Sequence, residues 1–263
     1  EGMYKCSVRT MYRILGENKE VLERRQIVQR PRYTKPELLA TGPNQIWSWD
    51  ITKLLTFEKW KYFFLYVLLD IFSRYVVGWL IAERESADLA KQLIAESCEK
   101  QGIQKGQLSI HSDRGGPMKS LTLSQFYAVM GVDRSLSRPS VSNDNPFSES
   151  AFKTAKYHPT FPGRFGCLQD TLEWGRIFFP WANDEHHHSG IGYFTPKQVH
   201  YGLAKNAYDF RAQTLQNAFE AHPERFVKGI PAPLSVPKEV WINPPIAAKK
   251  VEVVPAIFTP TLT

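Results

Sequence analysis

Cysteine is scarce in this 263-residue chain, with three residues at positions 6, 98 and 167. An odd, widely spaced set without a CxxC pair excludes a disulfide framework and a cysteine-based zinc site. Long apolar runs are also missing. The longest, residues 62–69, is strand-length and far short of the ~20 residues of a membrane span, so no membrane role is expected. No signal-like apolar segment follows the start, which points to a cytoplasmic protein. The first residue is Glu1 rather than Met, which suggests a fragment with a shortened N-terminal region. Internal repeats are absent. Acidic residues are in the minority, 26 against 33 Lys and Arg, and the resulting charge of +7 favours a polyanionic partner such as nucleic acid.

What is present divides the chain into four stretches. Residues 1–22 contain one amphipathic helix. Ser7 can cap it, Val8, Met11, Tyr12 and Leu15 share a face, and Gly16 can stop it. Arg9 and Arg13 lie opposite. That pattern suits the last helix of a helix-turn-helix, whose outer face enters a major groove, and it equally suits an ordinary packed helix. Residues 23–43 form a basic linker. Arg24, Arg25, Arg30, Arg32 and Lys35 occur there with no acid among them, as expected of a solvated segment or one that tracks a phosphate backbone.

Residues 44–205 carry the periodic core. Strands are expected at 46–55, 61–69 and 74–81, the last two joined as an antiparallel hairpin by Asp70-Ile-Phe-Ser. A helix capped by Ser86 should run to Gln101 with Ala90, Leu93, Ile94, Ser97 and Cys98 inward. Short strands at 108–111 and 132–135 flank a helix at 122–130. A further helix starts after Asn145, with the Asn as cap and Pro146 in its first turn. The order β-β-β-α-β-α-β-α is that of a ribonuclease-H-like α/β fold, a mixed five-stranded sheet with helices on both faces. A helix over 167–182 should kink or end early at Pro180. His186, His187 and His188 have no partner at ligand spacing, so a loop bonded to solvent or backbone is expected rather than a metal site. Residues 206–263 read as helical and then proline-rich. Eight of the eighteen prolines fall at or after Pro223, so an extended tail with few hydrogen bonds is expected.

Three carboxylates stand out within the core. Asp50 lies in the first strand, Asp113 follows the fourth, and Glu149 comes after thirty-five intervening residues on the helix begun by Pro146. Hard oxygen ligands in that arrangement can hold two divalent ions ~4 Å apart, one at the attacking and one at the leaving oxygen of a phosphoryl transfer. Lys153 and Lys156 follow Glu149 at i+4 and i+7 on the same helix face, placed to hold phosphates beside the scissile one, with a plain intrahelical pair to Glu149 as the alternative for Lys153.

The motifs resemble those of bacterial insertion-sequence transposases of the OrfB type, which carry a retroviral-integrase-like (rve) core with a DDE motif. The matching stretches are Trp47-Ser-Trp-Asp-Ile-Thr-Lys, Asp70-Ile-Phe-Ser-Arg-Tyr-Val-Val-Gly-Trp, His111-Ser-Asp-Arg-Gly, Asn143-Asp-Asn-Pro-Phe-Ser-Glu-Ser, Phe161-Pro-Gly-Arg-Phe-Gly and His188-Ser-Gly-Ile-Gly-Tyr-Phe-Thr-Pro. The resemblance implies that Asp50, Asp113 and Glu149 are a D,D-35-E catalytic triad binding two Mg²⁺ or Mn²⁺ ions. It implies that Lys156 meets the DNA end and that residues 1–22 are the remnant of a helix-turn-helix reading the element's terminal inverted repeats. It further implies 3′-end cleavage followed by strand transfer into target DNA, carried out by a homo-oligomer on paired ends. A non-catalytic DNA-binding relic of such a transposase, and a nuclease of the same fold that only hydrolyses, are the alternatives. Ala155 and Ala182 stand where the family usually has larger side chains, and a buried reduction of that kind costs ~2–5 kcal/mol.

Overall fold

Phe63, Leu65, Val67 and Leu69 alternate with Tyr66 and Leu68, and all six are buried. A segment apolar on both sides belongs inside a sheet that is covered twice. The computed structural model describes residues 6–18, 20, 33–139 and 141–245. In it the strands are β1 (Leu38–Ala40), β2 (Ile46–Leu55), β3 (Tyr62–Asp70), β4 (Val76–Ala82), β5 (Ser109–Ser112), β6 (Asp133–Leu136) and β7 (Val240–Ile242). The helices are α1 (Val8–Glu17), α2 (Ala87–Gln101), α3 (Leu121–Met130), α4 (Pro146–Tyr157), α5 (Leu168–Asp184), α6 (Pro196–His200) and α7 (Ala204–Ala221).

Five strands form one sheet in the order β4-β3-β2-β5-β6. β2, β3 and β4 pair antiparallel, whereas β5 and β6 run parallel to β2. Trp47, Trp49, Tyr66 and Leu68 face α2 and α3, where Ala90, Leu93, Ile94, Leu123 and Tyr127 complete one core. Leu54, Phe63, Leu65, Val67 and Leu69 face α4 and α5 and meet Phe152, Ala155, Trp174, Phe178 and Phe179 in a second. This is the expected ribonuclease-H-like architecture, and all five inward residues of α2 are buried as their spacing required.

The hairpin turn after β3 is held from inside. Asp70 is fully buried and accepts hydrogen bonds from Asn44 N at 2.7 Å and from Ser73 N and Oγ, both at 2.8 Å. Burial pushes its carboxyl above the usual range, and the four surrounding groups oppose that shift. Ser73 Oγ also meets His200 Nδ1 at 2.9 Å, and His200 stacks on Tyr75. Asp70 is therefore a turn-closing acid.

Four local expectations differ from what is found. The helix capped by Ser7 runs through Gly16 to Glu17, with Ser7 accepting from Thr10 N as anticipated. The final residues of the presumed linker form β1, and the presumed extended tail returns as β7 to pair with it antiparallel. Ala40, Val240 and Ile242 pack with Ile46, Ile71, Phe72, Ile191 and Phe194, and Ala207 and Tyr208 of α7 join them. Hydrophobic burial at the end of the sheet thus recruits residues on both sides of the 44–205 stretch. α5 does not break at Pro180. The ring lies on the exposed face, where water can satisfy the carbonyl that loses its partner, while Phe178 and Phe179 before it and Asn183 after it stay anchored. Asn183 Oδ1 accepts from Val76 N at 2.8 Å and its Nδ2 donates to Val76 O at 3.0 Å. Asn145 occupies the cap position of α4 without capping it. Among the described residues no helix is long and apolar enough to cross a membrane.

Candidate active site

β2 and β5 run side by side with Ser48 opposite His111 and Trp49 opposite Ser112. Asp50 and Asp113 are the next residues of each chain. They therefore sit at neighbouring positions, Asp50 in the middle of β2 and Asp113 just past the end of β5. Strand period two puts Ser48, Asp50, Thr52 and Leu54 on one face of β2, and buried Leu54 fixes that face toward α4 and α5. Glu149 lies in the first turn of α4, where the helix's N-terminal dipole favours a carboxylate.

Asp50 feels the other two carboxylates. The carboxyl of Asp50 is raised to about 7, chiefly by burial, with further upward pressure from Asp113, Glu149 and Glu85; its hydrogen bond from Ile51 N at 2.8 Å opposes this. Asp113 Oδ1 accepts from Ser137 Oγ at 2.6 Å. Among the described residues, no three His, Cys, Asp or Glu side chains already converge to metal-holding distance. The donor set nonetheless fits a hard divalent cation. It is all oxygen, and a cation would relieve the mutual repulsion that disfavours the charged form of Asp50.

The cations expected for DNA distribute unevenly. Lys156 Nζ donates to Thr52 Oγ1 at 2.7 Å, two residues along β2 from Asp50. Burial lowers its pKa and the charge of Asp50 opposes that. Lys153 is exposed on the same helix. Arg9 and Arg13 are exposed on α1, and Arg13 pairs with Glu17 at 2.6 Å within that helix. Arg24, Arg25, Arg30 and Arg32 lie outside the described residues. The His186–His188 run behaves as a backbone-bonded loop: His187 Nδ1 meets Glu185 O at 2.9 Å, and His188 Nδ1 accepts from Gly190 N at 3.0 Å. The cysteines are free.

Sequence reasoning missed the groups that fasten α4 to the strands. Ser48 Oγ donates to Asn145 Oδ1 at 2.5 Å and also meets Ser148 Oγ at 2.5 Å, all three residues being buried. Asn145 Nδ2 reaches Trp49 O at 3.5 Å. On the neighbouring strand His111 Nε2 meets Asp144 O at 2.8 Å and Nδ1 meets Ser135 Oγ at 2.9 Å. Each strand that carries a carboxylate is thus tied, two residues earlier, to the start of the helix that carries the third. The one available signal was a polar residue, Ser48 or His111, at an inward strand position.

Residues 40–142 match the integrase core domain family. That stretch includes Asp50 and Asp113 and ends seven residues before Glu149. The transposase for insertion sequence element IS904 of Lactococcus lactis subsp. lactis (strain IL1403) is 30% identical over 174 residues, covering 65% of this chain and 66% of that protein. Transposase InsF for insertion sequence IS3A of Escherichia coli (strain K12) is 33% identical over 120 residues, 46% of this chain and 41% of the relative. The chain therefore spans less than two thirds of the curated relatives it matches. Among solved structures, the HTLV-2 integrase catalytic core domain in complex with magnesium is 18% identical, with a TM-score of 0.46 over 60% of this chain and 97% of that one. The matched stretch and the shared sequence motifs make this chain similar, over its integrase core domain, to insertion-sequence transposases.

Proposed function

We propose that the chain is a metal-dependent DNA strand-transferase that excises and joins the ends of an insertion sequence. The observation that carries this reading is the convergence of Asp50 and Asp113 on adjacent parallel strands, with Glu149 near enough for its charge to act on Asp50. Asp50, Asp113 and Glu149 would hold Mg²⁺ or Mn²⁺, two ions in the complete site. Bound there, the ions supply charge neutralisation at the phosphate and activation of the attacking oxygen.

The protein's own contribution is placement. The buried ties from Ser48 and His111 to the start of α4 set the spacing of the three carboxylates before DNA arrives. In the first reaction a water oxygen attacks the phosphodiester at the element's 3′ end, the P–O3′ bond breaks, and the element strand leaves with a free 3′-hydroxyl. In the second, that hydroxyl attacks a phosphodiester of target DNA and one strand is exchanged for another. Lys156 and Lys153, on the helix face that bears Glu149, would hold flanking phosphates. Arg9 and Arg13 on α1, and Arg24, Arg25, Arg30 and Arg32 after it, would bind the terminal inverted repeats. A homo-oligomer is needed to bring two ends together.

The test is Mn²⁺-dependent nicking and joining of an oligonucleotide that carries the terminal repeat flanking the gene, with Asp113→Ala as the control. Joined product that disappears in the variant supports the reading. Binding without cleavage by the unaltered chain would instead favour a DNA-binding relic, and cleavage without joining a hydrolytic nuclease.

A further inference from the structure

A cavity of about 290 Å³ lies behind α4, between that helix, α5 and the sheet. Its walls are apolar, formed chiefly by Val67, Leu69, Val76, Phe147 and Phe178. The room exists because Ala151, Ala155 and Ala182 are small where three elements meet. Glu149, Lys153 and Lys156 do not line it.

One charge reaches this chamber. Arg74 sits at the hairpin between β3 and β4 with a left-handed backbone (φ 64°). Its guanidinium lies over the Phe147 ring, 4.3 Å from the centroid. Its Nη1 is buried and has no hydrogen-bond partner among the described residues. Burial lowers its pKa to about 10, so it remains a cation at neutral pH. The Asp70 carboxylate acts on the guanidinium only through space, since the hydrogen bonds to that carboxylate come from Asn44 and Ser73 instead. A buried donor of a charged group without an acceptor is costly, and native proteins rarely leave one. His188 also lines the chamber. Its Nδ1 accepts from Gly190 N, so the ring proton of the neutral form is on Nε2, which makes it a donor.

We infer that this cavity is a binding site for a small amphipathic carboxylate, with an aromatic or branched apolar body in the chamber and its carboxylate on Arg74 and His188. The volume lies at the small end of ligand pockets, which span ~300–1,000 Å³. A single guanidinium matches one negative charge, and the apolar walls exclude a polyphosphate or a nucleic-acid strand. A divalent cation is excluded too, because no carboxylate lines the chamber. Because the ligand would rest against the back of the helix that bears Glu149, its occupancy would stiffen that helix.

The inference is tested on the full chain with three probes of one shape: 2-naphthoate, 2-naphthamide and 2-naphthylmethanol. Thermal shift and titration calorimetry give the readouts, so DNA activity is not required. The naphthoate should bind and raise the melting temperature, with the neutral analogues at least about tenfold weaker because the charge-assisted bond is lost. Ala182→Phe fills the chamber and should abolish binding in a folded protein, as should Ala155→Leu if the first variant does not fold. Equal affinity for the three probes, no binding by the naphthoate, or binding that survives both fillers would overturn it.

Discussion

Asn243 Nδ2 donates to Asp144 Oδ1 at 2.8 Å and so fastens the segment after β7 to the residue that precedes α4 by two. Asp144 is fully buried and gathers other donors as well. Arg138 contributes its backbone N and Nε to Oδ2 and its Nη2 to Oδ1, all at 2.9 Å. The tail strand, the loop before α4 and the start of that helix therefore share one anion.

The Arg138 side chain holds the Asp144 carboxyl far below the usual carboxylate range. A group whose folded pKa is depressed contributes stability that is complete above its unfolded value, ~3.9, and is lost as pH falls toward the folded value. Asp144→Asn is expected to destabilise by ~1–3 kcal/mol at pH 7, through donors left unsatisfied, with the lower part favoured because Arg138 keeps access to water. Urea unfolding across pH 2–7 checks this: the gap between variant and parent should narrow below about pH 4. A gap independent of pH would mean that packing, rather than charge, is what Asp144 contributes.

Asn145 is the second fastening, and it should affect chemistry more than folding. Its amide holds Ser48 and Trp49 O on the strand that carries Asp50. Asn145→Leu leaves Ser48 without this acceptor and frees the first turn of α4. Displacing a reacting group by about 1 Å costs on the order of 10²-fold in rate. Strand joining should fall by about that factor while circular dichroism stays unchanged. Ser48→Ala should show a smaller loss, and the double variant should not add to Asn145→Leu, because both act on one contact.

Pro180 gives a test of the helix that did not break. Alanine there restores an N–H to the α5 ladder on its exposed face. Proline in a helix interior costs ~3 kcal/mol relative to alanine, and loss of its restriction of the unfolded chain returns ~0.4–1 kcal/mol of that gain. Pro180→Ala should therefore stabilise by about 2–2.6 kcal/mol, read as a higher melting temperature in calorimetry. No change would show that α5 has already adapted its backbone to the ring.

Gly175, one turn earlier, should answer in the opposite direction. Alanine at an ordinary helical glycine gains ~1 kcal/mol. Here an added Cβ would stand 2.8 and 3.0 Å from ring carbons of Trp79 and 3.3 Å from Ile81. Trp79 is stacked on Phe179, so its ring cannot yield freely. Gly175→Ala should cost ~1–3 kcal/mol through overpacking, visible as a lower urea midpoint.

These contrasts show what was legible in the sequence. Period-two and period-3.6 patterns located the five-stranded sheet and α2 through α4, because burial of a whole face leaves a repeating mark. Asp50 was legible as an acid inside such a pattern, and Asp113 as one that closes it. The early end expected at Pro180 does not occur, because a local penalty of a few kcal/mol is outweighed by aromatic burial from Trp174 to Phe179, which no local rule contains. Pairing of β1 with β7 joins residues about 200 positions apart in strands of three residues, too short to show a period. Asn145 misled because a cap and a long-range latch use the same amide, and only the position of Ser48 distinguishes them.

Lys156 can serve DNA or merely neutralise Asp50, and salt dependence separates the two. Its Nζ is held by Thr52 Oγ1 and lies within electrostatic reach of Asp50. If it holds a phosphate, Lys156→Ala should weaken binding of duplex ends of any sequence and reduce the slope of log affinity against log salt by about 1. Thr52→Val removes only the tether and should lower affinity less, with the slope unchanged. If Lys156 serves Asp50 alone, the slope should stay as it is, and Lys156→Ala should instead alter stability in metal-free buffer. Fluorescence anisotropy over about 50–200 mM salt, run beside thermal denaturation in chelator, decides between them.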